Sequence, residues 1–405
     1  MNLPFYIAKR ISGSSKGSFS HSINRIAVAS VGLGLAVMII AYLTLMGFKD
    51  TISEKVYSLS AHLQVSKYVL NNSLLEEPIS AQANFYQYPD SFPYIAHVQR
   101  VAYKGALLKT EAEVQGVVLK GIDAEYDSTR FKQHLVEGRY LNLRDSAYQN
   151  EVLISRKISR LLRLSLDEDI TLFFIQNPPR FRKMKVVGIY DTGLEDFDDQ
   201  LLLTDLRLHQ RLNNWGDSLV GGYEIFVKDL KEVNTAEVDL FERIDPELLV
   251  QKVSEKYIQV FDWLYLLNRN VVIFLGLILF VACFNMVSII FILIMERTQM
   301  IGMLKALGAN NGLIRKVFVY NGLVLVLKGL LWGNGIGLLF GFVQYYFKLI
   351  PLDPENYYMS HVPIGWDWSV VLILNVLTLL VVSLVLFMPT FIISRLKPIK
   401  AIKFD

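Results

Sequence analysis

The sequence predicts an α-helical membrane protein with four transmembrane helices and a large α+β domain inserted between helices 1 and 2. Three observations predict it. Four apolar stretches are long enough to cross a bilayer: residues 26–48, 270–295 and 368–394 carry no charge, and residues 317–347 carry only Lys328. Between the first two stretches lie residues 49–268, a charged, mixed segment with strand and helix patterns. The chain is 52% apolar and 20% charged, too apolar for an ordinary soluble enzyme and too charged for a wholly embedded protein.

The N-terminal segment 1–25 carries Lys9, Arg10, Lys16 and Arg25 with no acid, and Leu3, Phe5, Tyr6 and Ile7 give it an amphipathic, interfacial character. The run 26–48 is too long for the apolar core of a signal peptide, so it is expected to be an uncleaved anchor. Orientation follows from basic residues, which accumulate on the cytoplasmic side. The link 296–316 carries Arg297, Lys305, Arg315 and Lys316, and the tail 395–405 carries Arg395, Lys397, Lys400 and Lys403. The short loop 348–367 sets one lysine against Asp353, Glu355 and Asp367. Both termini and the link are therefore expected in the cytoplasm, and residues 49–268 and 348–367 on the outer side.

Within 49–268, HLQVSKYV, RVAYKGALLK and EAEVQGVVLKGI read as strands. EVLISRKISRLLRL reads as a strand and then a helix capped by Ser155. DITLFFIQ and RKMKVVGIYD read as a hairpin turning at Asn177-Pro178-Pro179. LLLTDLRLHQRLNNW predicts a strand and a helix capped by Thr204, and a further helix is expected over 231–243. The acids Glu195, Asp196, Asp198 and Asp199 are expected to form a solvated acidic loop. No GxSxG or HExxH motif occurs. The single cysteine, Cys283, permits no intrachain disulfide, and six scattered histidines give no metal-ligand spacing, so neither catalysis nor a metal site is expected. A net charge of +3 spread over the chain does not suit a nucleic-acid binder.

No GxxxxGK[ST] phosphate loop is present, so an ATP-driven chain of this kind needs a separate ATPase. Such a partner would meet the cytoplasmic face, and the link is the best contact. MERTQMIGMLKALGA places Met300, Ile301, Met303, Leu304 and Leu307 largely on one side of a short helix. Glu296 suits its start and Lys305 its end. Gly308 fits the left-handed closing position, and Asn310 or Asn311 can cap the next helix. Periodicity allows two uses, a helix docked in a partner's groove or one lying on lipid headgroups.

Three further features concern the spans. Gly329, Gly333, Gly337 and Gly341 recur every four residues, a packing seam for another helix. Lys328 stands 12 residues into its run and is expected to snorkel, pair or face a wet cavity, with Asn285 and Asn334 as candidate partners. Lys328 and Asn285 together are candidates for an intramembrane polar or substrate-contacting site.

ERTQMIGMLKALGA resembles the cytoplasmic motif of four-span ABC permeases of the MacB/FtsX superfamily. VACFNMVS resembles the second span of the lipoprotein-releasing LolC/LolE permeases, EGRYL, NEVLIS and KVVGIYDTGLEDFD their periplasmic domain, and PTFIISRLKPIKAIKFD their terminal motif. The resemblance implies a large periplasmic α+β domain and a multi-pass protein of the inner membrane. It also implies a complex in which two permease chains, alike or different, sit on a dimer of ABC ATPase subunits. ATP and Mg would be bound by those subunits, with no cofactor on this chain. The link would be the coupling helix, with Glu296, Arg297, Met300, Ile301, Leu304, Leu307 and Gly308 as its contact residues. The work done would be extraction of lipoproteins from the membrane toward a periplasmic carrier protein. Two departures stand out: Met300 replaces the glutamate usual in the family, and the hairpin between Ile175 and Lys183 is shorter than the hook of carrier-recruiting members. FtsX-like relay of ATPase strokes to a cell-wall hydrolase, and MacB-like efflux, are the alternatives.

Overall fold

A computed structural model describes Tyr6 and residues 19–68, 76–110, 113–144, 149–353 and 357–395. Apart from Tyr6, the interfacial stretch expected before residue 19 lies outside the described residues, as does the tail beyond Arg395. The chain divides into two units, a helical one (1–50, 264–351 and 361–405) and a sheet-based one (51–263 and 352–360).

The helical unit is built from α1 (Phe19–Ser60) and, after α2 (Arg156–Leu162), α3 (Leu206–Asn213) and α4 (Val233–Arg243) of the inserted sheet unit, from α5 (Ile258–Glu296), α6 (Thr298–Ala306), α7 (Asn311–Phe347) and α8 (Trp368–Val385). Among the described residues, four helices are long and apolar enough to cross a membrane: Ser22–Ser60, Ile258–Glu296, Asn311–Phe347 and Trp368–Ile393. α1, α5 and α7 overrun the runs from which they are predicted, because a run of uncharged residues marks the edge of an apolar medium and a helix continues for as long as its backbone ladder does. The last span ends earlier as an α-helix. Pro389 lacks an N–H and its ring opposes the carbonyl four residues back, that of Val385, which is where α8 stops. A short turn (Phe387–Thr390) and a 3-10 stretch (Phe391–Arg395) follow. Ala27, Val31, Leu35, Ile39 and Leu43 of α1, spaced by four, enter the core with Met286, Ile290 and Leu293 of α5 and Leu325, Val326 and Leu330 of α7.

The sheet unit carries β1 (Leu63–Lys67), β2 (Ile79–Ser80), β3 (Ile95–Lys109), β4 (Val114–Ile122), β5 (Leu135–Gly138) and β6 (Glu151–Ser155). These are followed by β7 (Asp169–Phe174), β8 (Arg180–Tyr190), β9 (Leu201–Asp205), β10 (Leu219–Val220), β11 (Gly222–Val227) and β12 (Leu248–Lys252). Among the described residues, ten strands form one mixed sheet in the order β12-β1-β11-β3-β4-β9-β6-β8-β5, with β7 pairing both β3 and β8. The pairs β4–β9 and β6–β8 are parallel; α2 lies in the connection from β6 to β8, and α3 follows β9. α4 (Val233–Arg243) buries Ala236 and Leu240 beside Val65, Tyr223 and Ile225, while α2 and α3 bury Ile158, Leu162, Leu208 and Leu212 beside Val152, Ile154 and Leu202.

Ser155 caps α2, accepting from the Ile158 amide at 3.0 Å, and β7 and β8 form the expected hairpin. The cap of α3 differs from expectation. β9 runs one residue further, with Asp205 still extended and paired to Ile122, so Asp205 is the N-cap and accepts from the Arg207 amide at 2.9 Å. Thr204 stays in the strand, its hydroxyl 3.0 Å from His209 Nε2. The acidic stretch is also not a solvated loop. Glu195–Asp198 is a helical turn in which Asp198 is buried and accepts from the Thr192 hydroxyl at 2.9 Å and the Gly193 amide at 2.9 Å. Burial pushes its carboxyl up to about 6 against those hydrogen bonds. Glu195 and Asp199 pair with Lys157 at 3.0 and 2.5 Å.

Candidate functional sites

The link between α5 and α7 is built from two stops. Glu296 is the last residue of α5, not the first of the link helix; Arg297, at φ −97° and ψ 20°, breaks the ladder, and α6 begins at Thr298. Glu296 therefore stands at the carbonyl end of α5 and does not complement the amide end of α6, contrary to expectation. α6 closes in a Schellman motif: Gly308 adopts φ +89°, its amide donates to the Lys305 carbonyl at 3.0 Å, and the Ala309 amide donates to that of Leu304 at 2.9 Å. Asn310 caps α7 through the Leu313 amide at 2.7 Å. Lys305 donates to the Ile393 carbonyl at 2.6 Å, tying α6 to the end of the last span.

The apolar stripe of α6 is cut lengthwise. Ile301 is fully buried, and Met300 and Leu304 pack half-buried against the core of the helical unit. Met303 and Leu307, four residues apart, are 57% and 84% exposed. The expectation of one shared face fails because the bundle itself uses one edge of the stripe. Glu296 is exposed and Arg297 half-buried at the head of the link.

The glycine repeat meets α1. A β-carbon on Gly329 would lie 2.8 Å from Val31 Cβ, one on Gly333 2.7 Å from the Gly32 carbonyl oxygen, one on Gly337 3.1 Å from Ile39 Cβ and one on Gly341 3.0 Å from Leu43 Cδ1. Each step of four along α7 advances by about four along α1, so the two helices run in the same direction with backbones in close approach. Gly335, on another side of α7, would meet nothing within 4 Å.

Lys328 does not meet its expected partners. Asn285 donates to the Ser30 hydroxyl at 2.9 Å, and Asn334 and Asn375 exchange amide hydrogen bonds of 2.6 and 2.9 Å. Lys328 instead lines a groove with Asn24, Arg25 and Trp332. Its depth is also different from the one its place in the run suggests. The neighbouring Gly329 faces the Val28 carbonyl, two residues past the start of the uncharged run of α1, so Lys328 stands near one end of that run. The apolar residues that precede it, among them Val317, Phe318, Leu325 and Val326, are buried inside the bundle, and their apolarity reports a protein core as well as a membrane.

Sequence reasoning missed how the end of α1 is held within the sheet unit. Lys120 and Glu224, 1% and 0% exposed, form an ion pair of 2.7 Å between β4 and β11. Glu224 also accepts from Gln99 at 2.7 Å and from the Tyr103 hydroxyl, and Lys120 donates to the Leu59 carbonyl in the last turn of α1. That carbonyl has no partner inside the helix, and a cation is the favourable group to satisfy it. Burial pulls the Lys120 ammonium down while Glu224 opposes it. One turn earlier, Lys55 donates to the carbonyls of Thr192 at 2.7 Å and Tyr358 at 2.6 Å. Ser58 donates to the Lys55 carbonyl at 2.7 Å and stands 3.3 Å from His134 Nε2. Burial and the Lys55 charge hold His134 down at about 4. The available signal was one charge inside each of two apolar strands, VQGVVLKGI and GYEIFV.

Among the described residues, no group of three or more His, Cys, Asp or Glu side chains is placed to hold a metal ion.

Residues 26–240 match the MacB-like periplasmic core domain family, and residues 272–398 the FtsX-like permease C-terminal family. The lipoprotein-releasing system transmembrane protein LolC of Xylella fastidiosa is 20% identical over all of this chain and 98% of its own length. The corresponding LolE of Haemophilus influenzae is 22% identical over 95% of this chain and 94% of its own. The periplasmic region of MacB from Actinobacillus actinomycetemcomitans aligns with a TM-score of 0.35 at 14% identity, over 49% of this chain and 91% of that one.

Proposed function

The chain belongs to the MacB-like periplasmic core domain family and carries the FtsX-like permease C-terminal region, and from that premise we propose that it is the permease subunit of an ABC complex that releases lipoproteins from the inner membrane. The observation that carries this reading is end-to-end similarity, at about the same low identity, to proteins named LolC and LolE. Both termini and α6 then lie in the cytoplasm, by the distribution of lysine and arginine, and the sheet unit lies in the periplasm.

ATP and Mg belong to a separate ATPase dimer, and a second permease chain completes the complex. On this reading α6 is the coupling helix. Its docking surface is Met303 and Leu307, flanked by Glu296 and Arg297, while Ile301, Met300 and Leu304 fasten the helix to the bundle and Gly308 sets its exit. The hairpin β7–β8 turns in five residues, Ile175–Pro179, which leaves recruitment of a periplasmic carrier to the second permease chain.

Two measurements test the reading. Depletion of the protein followed by membrane fractionation should leave lipoproteins in the inner membrane; normal arrival at the outer membrane with loss of cell separation would instead favour a relay to a wall hydrolase. Met303→Asp with Leu307→Asp should abolish co-purification of an ATPase while the chain still inserts, and full ATPase stoichiometry in that variant would remove α6 as the dock.

A further inference from the structure

A groove of about 480 Å³ opens between the start of the apolar run of α1 and the middle of that of α7. Asn24, Arg25 and Leu33 line it from α1, and Lys328, Trp332 and Ile336 from α7. Its floor is shallow-walled because Ala29 and Gly32 are small. Its two cations are exposed, and among the described residues neither Arg25 nor Lys328 makes a hydrogen bond or an ion pair. Asn24 Oδ1 is buried there without a hydrogen-bond partner among the described residues. Beyond the cations the walls are apolar and face outward: Leu33, Trp332 and Ile336 are 66%, 65% and 46% exposed.

Two unpaired cations beside apolar walls have one natural complement at a membrane boundary, an anion attached to a hydrocarbon chain. A guanidinium can hold a phosphodiester through two donors, and an ammonium adds a second charge. Trp332 lies against Gly32, six residues into the uncharged run of α1, so its exposed indole offers an apolar wall below the cations. The orphaned Asn24 oxygen asks for a hydroxyl donor, as on a glycerol headgroup.

We propose that this groove holds one anionic glycerophospholipid, its phosphate between Arg25 and Lys328 and an acyl chain along Leu33, Trp332 and Ile336. The proposal needs only the membrane-spanning reading of α1 and α7. The leaflet, cytoplasmic on the orientation above, rests on the proposed function, and failure of lipoprotein release would leave the groove untouched. A bound lipid at the head of the glycine seam would stabilise the approach of α1 and α7 from outside.

The test is native mass spectrometry of the full chain, with any subunits that co-purify, titrated with phosphatidylglycerol or phosphatidylcholine. The wild type should retain phosphatidylglycerol preferentially. Each cation near a membrane surface contributes about fivefold to anionic-lipid affinity, so Arg25→Gln with Lys328→Gln should lose about thirtyfold. Arg25→Lys with Lys328→Arg should keep the preference and serves as the folding control. Inorganic phosphate should not displace the lipid. Equal retention of both lipids, an unchanged preference in the neutralised variant, displacement by phosphate alone, or a photo-crosslinker at Trp332 that captures a second copy of the chain would each overturn the proposal.

Discussion

In the helical unit, α1 meets α7 through Gly329, Gly333, Gly337 and Gly341, and the contact is made by backbone and by the β-carbons of Val31, Leu35 and Ile39. In the sheet unit, the last turns of the same helix are held by Lys55, Ser58 and the Lys120–Glu224 pair through directed hydrogen bonds. The first contact has no donor or acceptor to spare and depends on shape. The second places charge where water is excluded and depends on every partner being present. The difference follows from the medium: between lipid-soluble helices, apolar burial gives little preference and close approach must supply the attraction. In a water-facing domain, helix-end carbonyls can be satisfied by a buried cation at the expense of desolvating it.

The comparison can be broken most forcefully at Glu224. Glu224→Ala leaves Lys120 buried and unpaired and should destabilise the sheet unit by about 3–5 kcal/mol, read by pulse proteolysis of the full chain in detergent. Replacing both partners, Lys120→Met with Glu224→Leu, should recover most of that loss; no recovery would mean the grip on Leu59, and not the lone charge, carries the effect. Next comes the seam. Gly333→Leu must push a side chain into the Gly32 carbonyl and Leu35 and should lower stability by about 1–3 kcal/mol, whereas Gly335→Leu on the same helix should change it by no more than about 0.5 kcal/mol. Equal effects at both positions, measured by thermal unfolding, would dissolve the seam.

Acidity sharpens the contrast further. His134 is lowered in the folded state from 6.5 to about 4, chiefly by burial, so the folded protein binds fewer protons than the unfolded chain between those values. Its contribution is complete above about 6.5 and is lost as pH falls toward about 4. The stability difference between wild type and His134→Gln should therefore shift by about 2 kcal/mol against the wild type across that window. A pH-independent difference would show that His134 is not buried as a neutral ring. A smaller effect than at His134 is expected at the polar contact within the helical unit: Asn375→Leu removes the amide pair with Asn334 and should lower stability by about 0.6 kcal/mol. A loss as large as that of Glu224→Ala would contradict a shape-held bundle.

Much of this architecture was legible in the sequence, and the failures have physical causes. The spans could be read because charge is excluded from lipid, and the stop at Gly308 and the start at Asn310 because few residue types close or open a helix. The spacing of the glycines named a seam but not its partner, since periodicity fixes a face and not what lies across it. The same limit split the stripe of α6: spacing grouped Ile301 with Leu307, and only the fold shows that the bundle consumes one edge. Lys328 was placed too deep because residues buried among helices and residues facing lipid share one composition. The Lys120–Glu224 pair stayed hidden because its partners are 104 residues apart in sequence and each looked like an interruption in a strand.

The closeness of the seam also says which changes this gene can survive. Any missense change at a glycine codon adds at least one carbon. At Gly335 and Gly276 that carbon would find nothing within 4 Å, so drift is open there. At Gly329 and Gly333 it would come within 2.8 and 2.7 Å of α1, and even alanine requires a helix to shift. Gly337, at 3.1 Å, lies between the two and is the step at which a lineage could begin to widen the gap, alanine first, with compensation at Ile39.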